Sequence, residues 1–228
     1  MADTVDDAIL AFSKGKPVMV FDSDFREKET DLLWPATAAT PEVMRRLRID
    51  CGGLLFLAIG DEIGQMFDLP WLQDLHTHKG LVDDNPVLSH LITNDLQYDT
   101  RSAFTLSINH RDTYTGITDR DRALTIKEMS ALYQKENPKQ FFNSTFKTPG
   151  HVPLLIASNG LLSSRTGHTE MSVYLTQLAN LSPITAICEM MDSETYSALS
   201  VDKAEKYAKE NAIPFIDGKE LLEFSKVN

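Results

Sequence analysis

Only two of the 228 residues are cysteine, Cys51 and Cys188. They form no C-x-x-C pair and are too few for a disulfide framework, which argues against a stapled secreted module and suits a reducing compartment. Long apolar runs are missing too. Leu54 to Ile59 is among the longest, far short of the ~20 residues that a membrane-spanning helix needs. The first residues, Met1-Ala-Asp-Thr-Val-Asp-Asp7, are acidic where a signal peptide would be basic. Positive charge is scarce: 22 Lys and Arg face 33 Asp and Glu, a formal net charge of -11. Such a chain lacks the basic footprint of an electrostatic nucleic-acid binder, although a few local arginines suffice for a small anionic substrate. No internal repeat, low-complexity tract or Pro/Gly/Ser linker divides it. These absences predict one soluble cytoplasmic domain over 1–228, with no nucleic-acid and no membrane partner.

What is present is ordinary in bulk, 42% hydrophobic and 24% charged, and long enough to bury a sizeable core. The chemistry concentrates in one stretch. Pro17-Val-Met-Val-Phe21 is a short apolar run that reads as a buried strand. Directly after it come five carboxylates, Asp22, Asp24, Glu27, Glu29 and Asp31, with Arg26 among them. Carboxylates this close repel one another unless a cation, a proton or a partner offsets the charge. By itself such a loop is either a solvated turn or a site for a hard divalent cation.

Along the chain, Thr4 is positioned to cap a helix with Val5, Ala8, Ile9 and Phe12 on one face and Gly15 as its stop. Leu32 to Ala36 returns as a second strand. Thr40-Pro41-Glu42 opens a helix that Gly52-Gly53 closes, and Leu54 to Ile59 is a further buried strand. Between Gly60 and Arg101 little is readable, and His76-Thr-His78 reads as a loop with two exposed imidazoles. Ser102 to Asn109 alternates, with Phe104, Leu106 and Ile108 on the buried face. Thr125-Ile-Lys-Glu128 has the capping-box pattern, opening a helix to about Glu136. Thr148-Pro-Gly-His151 predicts a turn into the apolar Val152 to Ile156. A helix carrying Met171, Leu175 and Leu178, a strand from Ile184 to Cys188, and helices from Asp202 and Asp217 complete the chain. The mixture predicts helices covering a mixed sheet.

Candidate chemistry lies where short strands meet loops. Arg165-Thr-Gly-His-Thr169 can offer an anion a guanidinium fork, backbone approach at Gly167 and the N–H groups of a following helix; the alternative is a plain cap by Thr166 or Thr169. His151 is either an acid/base group or a structural histidine. Glu189, beside Met190-Met191, is either a carboxyl with a burial-raised pKa or half of an ion pair. Cys188 reads as a core thiol rather than a nucleophile.

In their order these pieces resemble one family. Asp22-x-x-x-Arg26-Glu27-x-Glu29-x-Asp31, Thr115-Gly-Ile-Thr with Asp121-Arg122, Pro149-Gly-His151-Val152, Arg165-Thr-Gly-His-Thr-Glu170 and Cys188-Glu189 are similar to the motifs of 3,4-dihydroxy-2-butanone 4-phosphate synthase, in its single-function archaeal-type version. The resemblance runs from about Asp6 to Glu220. It implies a three-layer α+β domain, a homodimer with active sites near its interface, and D-ribulose 5-phosphate as substrate. It implies two divalent cations per active site, Mg²⁺ or Mn²⁺, at Glu27 and His168. Substrate contacts would come from Arg26, Glu27, Asp31, Thr115, the run Arg165, Thr166, Gly167, His168 and Thr169, and Glu189, with Arg165 and Thr169 nearest the phosphate. His151, Glu189, Asp22 and Glu29 would serve catalysis. Lys28, Lys147-Thr148 and Thr166 depart from the family pattern. A metal-dependent aldolase or isomerase, or a nucleotide- or RNA-binding module, remains an alternative on the residues alone.

Overall fold

The structure is a computed structural model and describes residues 3–23, 26–92, 99 and 101–227; Asp24 lies outside them. Thr4 caps α1 (Val5–Ser13) in a reciprocal capping box with Asp7, and Gly15 turns the chain at φ 70 into β1 (Val18–Phe21). The acidic loop leads to β2 (Thr30–Pro35), which runs antiparallel to β1 and begins two residues before the Leu32 expected from sequence. That early start puts Asp31 on the sheet. Thr40 caps α2 (Pro41–Arg46), a wider turn continues to Cys51, and Gly52 ends it at φ 86. β3 (Phe56–Ile59) follows.

Among its described residues the unreadable region holds four short helices: α3 (Asp61–Met66), α4 (Leu72–Thr77), α5 (Lys79–Asp84) and α6 (Val87–Leu91). His76 is therefore helical and half-buried rather than in a loop, while His78 is exposed between α4 and α5. β4 (Phe104–His110) departs from the expected alternation. Register shifts against its partner bury Thr105 and leave Leu106 half-exposed. α7 (Asp119–Ala131) begins earlier than predicted: Thr118 is its cap, and Thr125 instead sits inside it, its hydroxyl donating to the Asp121 carbonyl. After α8 (Pro138–Thr145) comes β5 (Phe146–Ile156), an eleven-residue strand that absorbs the turn expected at Thr148–His151. α9 (His168–Leu178), β6 (Ile184–Glu189), the small pair β7 (Met191–Asp192) and β8 (Ser197–Ala198), α10 (Val201–Asn211), β9 (Phe215–Asp217) and α11 (Gly218–Val227) complete the order.

Seven strands form one mixed sheet in the order β4-β5-β3-β6-β2-β1-β9. Alternate side chains enter two apolar clusters. Met19, Leu32, Leu57, Ile59 and Leu154 meet α2, α7, α8 and α10 in one, through Met44, Met129, Phe142 and Ala204. Val18, Val20, Leu33, Ala58 and Leu155 meet α1, α9 and α11 in the other, through Phe12, Leu175 and Leu221. Both sheet faces are thus covered, giving the three-layer α+β arrangement, and the strands read as continuous apolar runs for that reason. Each fully buried Leu or Ile contributes roughly 1.5–3 kcal/mol, so the sheet centre at Leu57 and Ile59 is a rigid platform for the strand ends. No helix among the described residues is long and apolar enough to cross a membrane.

Candidate active site

Three neighbouring strand ends and one helix start converge. Phe21 leads into Asp22 at the end of β1, Asp31 opens β2, and Glu189 lies opposite Asp31 at the end of β6. His168 is the first residue of α9. Asp22 is 1% exposed and accepts three backbone N–H groups, from Ser23 at 2.6 Å, Glu27 at 2.9 Å and Glu29 at 3.2 Å. The acidic loop is therefore wrapped around its own first carboxylate, a pattern that stabilises the ionised form.

His168 receives the rest. Its Nδ1 lies 2.9 Å from Asp31 Oδ2, and its Nε2 lies 3.5 Å from Asp22 Oδ2 and 3.7 Å from Glu27 Oε2. Although near, the Asp31 oxygens and both His168 nitrogens are buried without a well-directed hydrogen bond. Asp22, Glu27 and His168 form one group, and Glu29, Asp31 and His168 another, each with ligand atoms within 4.8 Å of one another. Orphaned acceptors of this kind fit a divalent cation, since carboxylate oxygens and imidazole are its usual donors.

The electrostatics follow from burial. For His168, burial favours the neutral ring, but the Asp31 and Asp22 carboxylates outweigh it and hold the imidazole well above its ordinary pKa. At Asp22 burial pushes upward, and His168 with the loop N–H groups more than offsets it, so this carboxyl lies below the usual range. Glu29 is pushed up to about 7 by burial and by Asp31 and Glu27. Glu189 rises to about 7 as well, through burial and the facing Asp31. Its Oε2 accepts the Leu54 N–H at 2.7 Å, and its carbonyl accepts that of Gly53 at 3.1 Å. A Cβ at Gly53 would come within 2.6 Å of that carbonyl oxygen, so glycine is required there.

Next to the carboxylates lies a cationic end. Arg165 Nη1 donates to Glu170 Oε2 at 2.5 Å, and Glu170, fully buried, also accepts the Ser158 N–H at 2.8 Å. Arg26 and Arg165 both reach Asp99. Gly167 is the N-cap of α9, and no side chain caps the helix, so neither Thr166 nor Thr169 takes that role. Thr169 is buried and Thr166 half-buried. A cavity of about 240 Å³ is lined by Glu27, Asp31, Arg165, His168, Thr169 and Glu189, together with Asp99, Arg101 and Phe56.

Sequence reasoning named most of this constellation and missed three members. Asp99 and Arg101 fall in the unreadable stretch, and Arg101 is packed over the Trp71 ring at 3.8 Å. Glu170 stood inside a quoted motif; its place in the first turn of a helix, five residues after Arg165, was the available signal. Two expected residues lie elsewhere. His151 is exposed on β5, its Nδ1 3.1 Å from Asn109 Nδ2, and Thr115 is exposed in the loop after β4, its hydroxyl donating to Asp121 at 3.2 Å. Neither lines the cavity. Cys188 is a core thiol as expected, beside Cys51, whose own thiol is pushed up by a hydrogen bond to Cys188 and by burial.

Fold and site together define an α+β protein with a carboxylate–imidazole pocket of metal-ligating composition beside paired guanidinium groups. Residues 6–224 match the family of 3,4-dihydroxy-2-butanone 4-phosphate synthase, and the chain belongs to that family. It is 41% identical over 219 residues to the 3,4-dihydroxy-2-butanone 4-phosphate synthase of Methanothermobacter thermautotrophicus, covering 96% of this chain and 94% of that one. Identity to the synthase of Archaeoglobus fulgidus is also 41%, over 222 residues, 96% of this chain and 92% of the other. Among solved structures, a 3,4-dihydroxy-2-butanone 4-phosphate synthase in complex with two magnesium ions matches with a TM-score of 0.81 at 27% identity, over 99% of this chain and 98% of that one.

Proposed function

We propose that this chain converts D-ribulose 5-phosphate into formate and L-3,4-dihydroxy-2-butanone 4-phosphate, as a lyase of riboflavin biosynthesis. The observation that carries the reading is the convergence of Asp22, Glu27, Glu29 and Asp31 on His168, with Arg26 and Arg165 meeting at Asp99 beside them. The reaction requires enolisation, loss of a hydroxyl, migration of a carbon and expulsion of one carbon, and each step builds negative charge on neighbouring oxygens. In this reading Glu27 and His168 hold two divalent cations, Mg²⁺ or Mn²⁺, which would stabilise that charge when bound.

Arg165, with Thr166, Gly167 and Thr169 around it, takes the phosphate end, and Arg26 and Asp31 contact the adjoining part of the substrate. Glu29 and Glu189, raised to about 7, hold and release protons near neutrality, the range in which an acid/base group works best. Asp22 keeps the loop closed. Incubated with ribulose 5-phosphate and Mg²⁺, the protein is expected to release one formate per substrate. A chelator should stop the reaction, and added Mg²⁺ or Mn²⁺ should restore it. Conversion to an isomer, or cleavage without formate, would overturn the assignment in favour of an isomerase or aldolase.

We propose further that residues 1–228 are one cytoplasmic domain that pairs as a homodimer with its active sites near the interface. Strand β9 pairing with β1 ties the two ends of the chain into one sheet, and the buried thiols are free, which supports the first part. The second is supported by His151 and Thr115, which are exposed around β4 and β5 with Tyr114, itself 97% exposed. A second copy is what would bring them to a pocket. Mixing the separately inactive Glu27→Gln and His151→Ala chains should then restore formate release; no recovery after subunit exchange counts against a shared site.

A further inference from the structure

Asp99, which lines the cavity, is the anion that Arg165 and Arg26 already hold. Arg165 grips it side-on, Nε donating to Oδ1 at 2.9 Å and Nη2 to Oδ2 at 2.5 Å, and Arg26 Nη2 donates to the same Oδ2 at 3.2 Å. The Asp99 side chain is 8% exposed, so this is an interior contact. The remaining Arg165 amino group, Nη1, is bound to Glu170. Two oxygens on one centre, accepting a planar fork and a second guanidinium, are what a phosphate group also offers.

The charge count adds a constraint. Arg165 already faces both Asp99 and Glu170, and Arg26 already faces both Asp99 and Asp22. A phosphate dianion entering beside an unmoved Asp99 would meet two carboxylates at close range, which disfavours binding in a buried place. We infer that Asp99 is an internal stand-in for the substrate phosphate: it keeps Arg26 and Arg165 converged, and an entering phosphate displaces it. It is then a specificity element. An anion must out-compete a carboxylate already in place, so a dianionic phosphate passes and a singly charged carboxylate does not. The inference rests on reading Arg165 as the phosphate end of the pocket, with Arg26 beside it.

Calorimetric titration of the full chain with inorganic phosphate, and separately with acetate, tests it. Asp99→Asn and Asp99→Ala remove the charge, the second without leaving an amide that could bond the arginines. Both are expected to bind phosphate severalfold more tightly than the parent protein and to narrow the preference for phosphate over acetate. Phosphate binding that is unchanged or weaker in both variants, or absent from all three proteins, overturns the inference, since a residue that merely props up Arg165 would weaken binding when removed. Formate release is read in a separate assay. Its failure would remove the reaction assignment and leave the role of Asp99 to be decided by binding alone.

Discussion

At His168 a ring of carboxylates meets one imidazole, and the two proposed cation ligands differ in what else they hold. Glu27 is 28% exposed through its side chain and makes its nearest ionic contact at 3.7 Å, so little of the fold depends on it. His168 is 7% exposed and faces Asp22 and Asp31, themselves almost fully buried. Glu27→Gln is therefore expected to reduce formate release to background while leaving the unfolding temperature near that of the parent. His168→Ala should lose activity equally and also destabilise the protein, because the two buried carboxylates lose the partner that offsets their charge, a change that costs roughly 3–5 kcal/mol for a buried pair. Near-normal turnover of either variant at low Mg²⁺ would refute the ligand assignment, and circular dichroism separates lost chemistry from lost fold.

The turn into α9 is organised around Arg165. Arg165 crosses directly over Gly167, so that an added Cβ would meet Arg165 Nη1 and lie 2.9 Å from Glu170 Oε2, and the ends of those two side chains would have to move. Gly167→Ala is accordingly expected to displace the Arg165–Glu170 pair and raise KM for ribulose 5-phosphate, with a smaller effect on kcat; an unchanged KM would put the phosphate elsewhere. Sequence reading succeeded at elements like this one, where local chemistry decides the outcome. Thr4, Thr40 and Gly52 act at the ends where capping logic puts them, and the strand ends at Asp22 and Glu189 follow from short apolar runs stopping at a charge. It failed where packing against distant residues decides. Thr125 matches a capping box, yet Thr118 caps α7, since the Thr115 and Gly116 backbone is already tied to Asp121. The helices α3 to α6 are too short for a period to emerge, so Asp99, just beyond them, could not be connected to Arg165, 66 positions away. His151 was legible as a motif, but a linear chain does not say which pocket an exposed residue serves.

Taken over the fold, the site is an excess of negative charge gathered on one end of the sheet, and it leaves a signature in stability. Glu29 and Glu189 have folded-state pKa values of about 7, above the ordinary 4.5. The folded protein therefore keeps protons that the unfolded chain has released. Their contribution is fully present below pH 4.5 and disappears as pH rises through 7. The raised His168 acts in the same direction, and the lowered Asp22 acts only below its ordinary 3.8, outside this window. The metal-free protein should thus melt at a lower temperature at pH 8 than at pH 5.5. Saturating Mg²⁺ should reverse the slope, because its ligands must be deprotonated and its binding strengthens as pH rises. A metal-free melting temperature that climbs over this range would contradict the cluster as drawn.

The hairpin between β1 and β2 carries an evolutionary tension. Glu27, Glu29 and Asp31 crowd into a segment that natural selection for stability alone would have neutralised, since well-folded sequences avoid poorly paired buried charge. In the proposed reading stability and catalysis therefore pull against each other at these three positions, whereas Asp22, held by three backbone N–H groups, serves both. A library of this protein screened only for heat resistance without metal would converge on amides and small polar residues there, and would return robust chains that have forgotten their chemistry. The same library screened in the presence of magnesium would keep the acids.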